Sequence, residues 1–271
     1  MPRSIPTLCG SIMGEPISLN VRIHNAAYAA LGLDYTFVCF GIDDPERAVQ
    51  AMRALGIRGM NVSMPYKAAV IPFLDAVDDS AAQIGAVNII NHKDGRLTGY
   101  NSDFIGAVRA LEEVIDPSGQ ALALLGAGGA ARAVAYGARE AGARVTIFNR
   151  SAERGEALAR DLGLELGGSL ADFDPGRFSI LVNSTSVGFR APEANPLPQK
   201  LQPHLVVMDA AFIPVRTKLI RDAEAAACRT VIGARMFLHQ SCRQIELYTE
   251  QQAPLAVMET VLLEEIGRMG G

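Results

Sequence analysis

The chain has 271 residues, 49% of them hydrophobic, enough for one large domain or two modest ones with real cores. Its 25 Lys and Arg against 29 Asp and Glu leave a formal net charge of −4, mixed along the sequence, with no basic stripe to attract nucleic acid. No apolar run approaches a signal peptide or a membrane span, and the four cysteines and four histidines are scattered without metal-ligand spacing. These features predict a cytoplasmic protein with reduced thiols, no metal, no membrane or nucleic-acid partner, and a small molecule as its target.

Strand-like and helical runs alternate from the start. TLCGSIM (7–13) reads as a strand followed by a Gly-Glu-Pro turn. NVRIHNAAYAALGL (20–33) has helical apolar spacing through Val21, Ala27, Tyr28 and Leu31, and ends at Gly32. DYTFVCFGI (34–42) is a second strand; PERAVQAMRALG (45–56) is a helix with Pro45 in its first turn and Gly56 at its end. IRGMNVSMPYK (57–67) is a third strand that stops at Pro65. A strand, glycine turn, helix and strand fill 121–150, and FSILVNST, LVVMDAAF and CRTVIGA add strands beyond it. Such alternation implies parallel sheets covered by helices on both faces. RAPEANPLPQK (190–200) has the composition of a mobile loop.

The best boundary falls near Gly106. The expected fold class is α/β: an N-terminal α/β domain over 1–105 that binds substrate and carries the chemistry, then a Rossmann-type doubly wound nucleotide domain over 106–235. Residues 236–271 form two final helices with apolar stripes and no strand beside them, expected to return to the first domain.

In LALLGAGGAARAV, Gly126, Gly128 and Gly129 stand between an apolar strand and an alanine-rich helix, and Ala131 takes the small-residue slot where helix meets strand. A structural turn uses glycine too. In this context the missing side chains let a pyrophosphate reach N–H groups at the helix N-terminus. About twenty residues on, where an NAD site carries an acid for the ribose hydroxyls, the chain has Asn149-Arg150-Ser151 and Arg154. Two guanidinium groups attract a 2′-phosphate, favouring NADP over NAD, with Ser151 able to donate a hydrogen bond. Two plainer readings stay open: Ser151 is an ordinary helix N-cap, and either arginine could stack on the adenine.

Taken singly, Lys67 could be a surface lysine, and Asn88 and Asp103 turn residues. Together, NVSMPYK, GAVNII and GYNSDF, followed by GAGGAARAV, NRSAER, NSTSVGF, DAAFIP and GARMFLHQ, resemble the shikimate dehydrogenase family in motif and in order over nearly the whole chain. That resemblance implies a two-domain enzyme, a monomer or homodimer, that reversibly reduces 3-dehydroshikimate to shikimate with NADPH in a cleft between its domains. It implies Lys67 and Asp103 as the catalytic pair, the lysine stabilising or protonating the substrate oxygen and Asp103 holding it in line. It implies Ser63, Asn88 and Gln240 as substrate hydrogen-bonding residues. For the cofactor it implies Gly126, Ala127, Gly128, Gly129, Ala130, Asn149, Arg150, Ser151, Arg154 and Gly233, with Thr185 and Ser186 as neighbours.

The departures are local. Where the family has two serines and a proline to hold the substrate carboxylate, this chain is two residues shorter and has Ser18-Leu19-Asn20-Val21. Ser18 and Asn20 are the nearest matches. Phe212 replaces a usual tyrosine, and Arg235 a usual glycine. These changes resemble the family's shikimate dehydrogenase-like branch and predict a weaker hold on shikimate. A dehydrogenase of quinate or a related alicyclic hydroxy acid is one alternative. A nucleotide-binding regulatory protein with a drifted substrate site is another.

Overall fold

The computed structural model of the protein describes residues 5–14 and 19–269. It divides into two compact units, Met1–Ser102 with Gln240–Glu265, and Asp103–His239 with Ile266–Gly271. The division therefore falls three residues before the 105/106 boundary read from sequence. The last helices also divide: residues 236–239 and 266–271 go with the second unit.

In the first unit β1 (Thr7–Met13), α1 (Leu19–Ala30), β2 (Tyr35–Gly41), α2 (Pro45–Ala54) and β3 (Gly59–Val62) alternate as the sequence predicts. They are followed by β4 (Ala76–Val77), α3 (Asp79–Ile84), β5 (Ile89–Lys93) and β6 (Arg96–Tyr100). The sheet order is β2-β1-β3-β5-β6-β4. β1 pairs parallel with β2 and β3, but β5 runs antiparallel to both β3 and β6, so this sheet is mixed rather than wholly parallel. The cause is local. Asp94 and Gly95 both have positive φ, 50° and 76°, which makes a two-residue turn whose twist suits an antiparallel hairpin.

One core of this unit joins Val49 and Met52 of α2 to Ile12, Met60, Val62, Ile90 and Leu97 of the sheet. From Gln240 onward, α8 (Gly233–Thr249) packs here as well. A side chain at Gly59 would start 2.2 Å from the ring of Tyr248, so glycine is required for the helix to sit on β3. The Tyr248 hydroxyl donates to Asn61 Oδ1 at 2.5 Å, and Asn61 Nδ2 donates to Gln244 Oε1 at 2.8 Å. Arg58 Nη2 reaches the Leu247 carbonyl at 3.1 Å. On α9 (Leu255–Met269), Glu265 pairs with Arg22 of α1 at 3.0 Å.

The second unit holds α4 (Asp103–Glu112), β7 (Ala121–Leu125), α5 (Gly129–Glu140), β8 (Arg144–Phe148), α6 (Ala152–Leu162) and β9 (Glu165–Gly168). It continues with β10 (Ile180–Asn183), β11 (Val206–Asp209), α7 (Lys218–Ala225) and β12 (Arg229–Val231). Its sheet order is β12-β11-β10-β7-β8-β9, with every pair parallel. This is the doubly wound Rossmann order, and its direction of winding reverses between β7 and β10. Ala123, Leu125, Phe148, Leu181 and Val207 of the sheet form a core with Phe173, Phe178 and Leu219. The 190–200 segment has no helix or strand; Leu197 within it is buried in that core, and Asn195 Nδ2 donates to Asp222 at 2.6 Å.

His24 of α1 is fully buried, stacked on Phe37 at 4.1 Å, with Nδ1 donating to the Asn20 carbonyl at 2.8 Å. Burial pushes its pKa down to about 4, against the opposing pull of the Asn20 carbonyl and the Gln244 side chain. The folded state thus favours neutral His24, while an unfolded chain protonates it near 6.5. Stability should fall as pH drops from 6.5 towards 4, by on the order of 3 kcal/mol in full. Urea unfolding across this range should show the loss, and His24→Phe should flatten it; an unchanged pH slope in that variant would refute the assignment.

Candidate active site

The reversal between β7 and β10 puts two strand ends beside one another, the place where open α/β sheets take ligands. Gly126 closes β7 with φ +109°, and its N–H donates to the Phe148 carbonyl at 2.9 Å. A Cβ there would lie 3.1 Å from the Ser184 carbonyl, so only glycine lets the loops after β7 and β10 meet. Gly128 and Gly129, at the start of α5, behave differently: a Cβ at either meets nothing within 4 Å. Internal packing does not require those two glycines. They leave the helix N-terminus open to a ligand backbone, while Ala131 one turn on is fully buried against the sheet.

A cavity of about 340 Å³ lies here, lined by Ala127, Gly128, Gly129, Arg132, Arg154, Ala157 and Leu158. Ser184 Oγ, next to Gly126, is buried without a hydrogen-bond partner. An open helix N-terminus and two guanidinium-bearing residues around one cavity fit a dinucleotide phosphate. At the end of β8, Asn149 Nδ2 donates to the Ser151 carbonyl at 2.8 Å and Ser151 caps α6. The N-cap reading of Ser151 is therefore realised, though its Oγ is 3.5 Å from the Arg154 N–H, a long bond. Arg150 and Arg154 are exposed, and neither guanidinium has an ion-pair partner among the described residues.

The loops after β10 and β11 are fastened by Asp209, a fully buried carboxylate missed in the sequence reading. It accepts from Asn183 Nδ2 at 2.9 Å, the Ala211 N–H at 3.0 Å and Thr217 Oγ1 at 2.6 Å. Burial pushes its carboxyl above the usual carboxylate range, and these bonds only partly offset that. Asn183 Oδ1 in turn accepts from the Thr185 N–H and hydroxyl at 3.0 and 2.7 Å, which turns Thr185 inward. Gly233 starts α8 so close to this rim that a Cβ would lie 2.6 to 2.7 Å from the carbonyls of Asp209, Ala210 and Ala211. Phe212 is half-buried in an aromatic row, 6.3 Å from Phe189 and 5.2 Å from Phe237.

In the first unit, Ser63 follows β3 and Asn88 precedes β5, at the same end of two paired central strands. The Val62 N–H donates to the Asn88 carbonyl at 2.9 Å, and Ser63 N–H to the Ile12 carbonyl at 3.0 Å. The Lys67 carbonyl accepts from Val87 at 2.8 Å, which anchors the lysine backbone beside Asn88. Asn88 is nearly fully buried and its carboxamide holds Ser102: Oδ1 accepts the Ser102 N–H at 2.7 Å, and Nδ2 donates to Ser102 Oγ at 3.1 Å. Ser102 directly precedes Asp103, the buried first residue of α4. Asn20 lies in the first turn of α1, Gln240 is half-buried on α8, and Ser18 lies outside the described residues. Among the described residues no three His, Cys, Asp or Glu gather as a metal site would need, and no helix is long and apolar enough to cross a membrane.

Sequence profiles agree with this architecture. The shikimate dehydrogenase substrate binding domain matches residues 12–90, and the shikimate 5′-dehydrogenase C-terminal domain matches 233–263. A shikimate dehydrogenase (NADP(+)) of Methanothermobacter thermautotrophicus is 39% identical, over 95% of this chain and 96% of its own length. The chain belongs to the shikimate dehydrogenase family. The structure of shikimate 5-dehydrogenase from Thermus thermophilus with NADP(H) and shikimate superposes with a TM-score of 0.88, at 32% identity over 95% of this chain and 99% of that one. The 5-ketofructose reductase of a Gluconobacter strain superposes at 0.90, also 32% identical, over 96% and 99%.

Arg235, the departure from the family's glycine, now has a partner. Its Nε donates to Glu113 Oε2 at 2.7 Å and its Nη2 to Oε1, which also lies 2.7 Å from His239 Nε2. Burial raises the Glu113 carboxyl, but the Arg235 and His239 bonds outweigh it and hold it below the usual range. The trio ties the end of α4 to α8, two helices that begin at Asp103 and Gly233.

Asp209 should matter most for stability. Asp209→Ala leaves buried donors from three segments unpaired, and should destabilise the protein by roughly 3 kcal/mol or more in urea unfolding. Glu224→Ala, which removes the exposed pair to Arg216, should cost under about 0.5 kcal/mol. Equal effects of the two would refute the role given to Asp209.

Proposed function

We propose that the protein is an NADP-dependent shikimate dehydrogenase, an oxidoreductase that interconverts 3-dehydroshikimate and shikimate. The observation that carries this reading is the match, over nearly its whole length, to a relative with that activity. When bound, the nicotinamide donates hydride to the substrate carbon or accepts it. In the reducing direction Lys67 gives a proton to the carbonyl oxygen, and its positive charge stabilises the oxyanion as it develops. Asp103 is the second member of the catalytic pair and orients the reacting hydroxyl; Asn88 supports it by fixing Ser102, the residue before it. Ser63, Asn20 and Gln240 line the substrate side, and Asn88 adds its own polar group there. Arg150 and Arg154 hold the 2′-phosphate of NADP, while the 126–130 loop holds the pyrophosphate and Thr185, Ser186 and Gly233 frame the nicotinamide end. The same reading puts the enzyme in the cytoplasm as a monomer or homodimer, and Cys9, Cys228 and Cys242 are buried with no disulfide among the described residues.

A second reading is favoured by one combination. Asn20 replaces one of the two serines that hold a carboxylate and no proline follows it, Phe212 lacks the usual hydroxyl, and a close structural neighbour is a 5-ketofructose reductase. On that reading the substrate is an uncharged keto sugar. A panel of shikimate, quinate and 5-ketofructose, followed through nicotinamide absorbance, decides between them: turnover of 5-ketofructose without turnover of shikimate would replace the first reading. Asn20→Ser should lower KM for shikimate, by up to about tenfold, if one charge-assisted bond to the carboxylate is regained.

Lys67→Ala should lower kcat by roughly a hundredfold or more and leave NADP affinity nearly unchanged. Near-normal turnover in this variant would remove Lys67 from the proton step. Arg150→Ala should raise KM for NADP by about tenfold while leaving NAD little affected, after allowance for solvent screening. An enzyme that uses NAD at least as well as NADP would leave adenine stacking as the role of these arginines.

A further inference from the structure

The cavity beside the glycine loop is lined by two guanidinium-bearing residues, and one of them is not among the arginines at the end of β8. Arg154 comes from α6; Arg132 comes from the first turn of α5, four residues beyond Gly128. Arg132 Nη1 donates to Asp161 Oδ2 of α6 at 2.9 Å, with both side chains partly exposed. Arg150 and Arg154, by contrast, have no carboxylate beside them among the described residues.

We infer that Arg132 is a third cation for the 2′-phosphate of the cofactor and a determinant of the NADP preference, with Asp161 as its counter-ion when no phosphate is there. This rests on the NADP reading above. Arg132 and Arg154 face one cavity, and Arg150 stands four residues before Arg154; guanidinium groups so gathered repel one another without an anion, and Asp161 neutralises the one nearest the α5 N-terminus. A half-exposed Arg–Asp pair is weak, so a doubly charged phosphate between α5 and α6 displaces the carboxylate at little cost. The guanidinium then makes a charge-assisted contact, and the freed carboxylate turns to solvent. The plain alternative is that the Arg132–Asp161 pair only fastens α5 to α6. That alternative gives Arg132 no reason to distinguish ligands with and without a 2′-phosphate.

Calorimetric titration with 2′,5′-ADP and 5′-ADP separates these, because neither probe requires turnover. For Arg132→Gln, affinity for 2′,5′-ADP should fall by about tenfold and for 5′-ADP by less than about twofold. Asp161→Asn, which releases Arg132, should tighten 2′,5′-ADP by a few-fold and leave 5′-ADP nearly unchanged. The gap between wild type and Arg132→Gln should narrow as salt is raised. An equal loss for both probes would put Arg132 on the pyrophosphate and overturn the inference. So would no loss for either, which leaves the pair a helix fastener. A wild-type protein that does not distinguish the two probes would instead overturn the NADP reading itself.

Discussion

The nucleotide unit depends on one buried carboxylate. Asp209 sits at the end of β11 and binds donors from the ends of β10, β11 and the start of α7. A carboxylate taken out of water is costly unless its oxygens are fully engaged, and here the engagement fixes where three loops run. Those loops carry Thr185, Ser186 and Phe212, and their carbonyls pack so tightly on Gly233 that α8 has one place to begin. Gly126 adds the same kind of constraint from the other side of the reversal, by contact with Ser184. Rigid backbone at the strand ends lets a flexible, charged ligand be recognised by a few exposed side chains.

Much of this was legible in the sequence for a physical reason. A strand, a glycine turn and an alanine-rich helix in succession have one common solution, and the glycines at 126, 128 and 129 sit where it needs them. The parts that were hidden are the ones made by residues far apart in the chain. Asp209 and Thr217 look like an ordinary strand end and an ordinary N-cap, and only folding reveals that they share one buried proton acceptor. Arg132 reads as the solvent face of a helix until Arg154 is seen across the cavity. The antiparallel hairpin at Asp94-Gly95 is different, because its turn signal is local and was passed over in favour of strand–helix alternation.

The departures from the family cluster in meaning, though not in position. Arg235 is compensated: it gains Glu113, and Glu113 gains His239, so a bulky residue in a glycine's place became a tie between two helices. Phe212 has aromatic neighbours in Phe189 and Phe237. Asn20 has no such packing explanation, since its carbonyl serves His24 while its side chain lies in the first turn of a helix whose approach was shortened by two residues.

The contact of Tyr248 with Gly59 joins residues 189 positions apart in the chain. The first sheet cannot cover β3 until α8 has been made, whereas every strand of the second sheet is present once Val231 has been added. The cover of β3 is thus completed only by a segment synthesised after every strand of the second sheet.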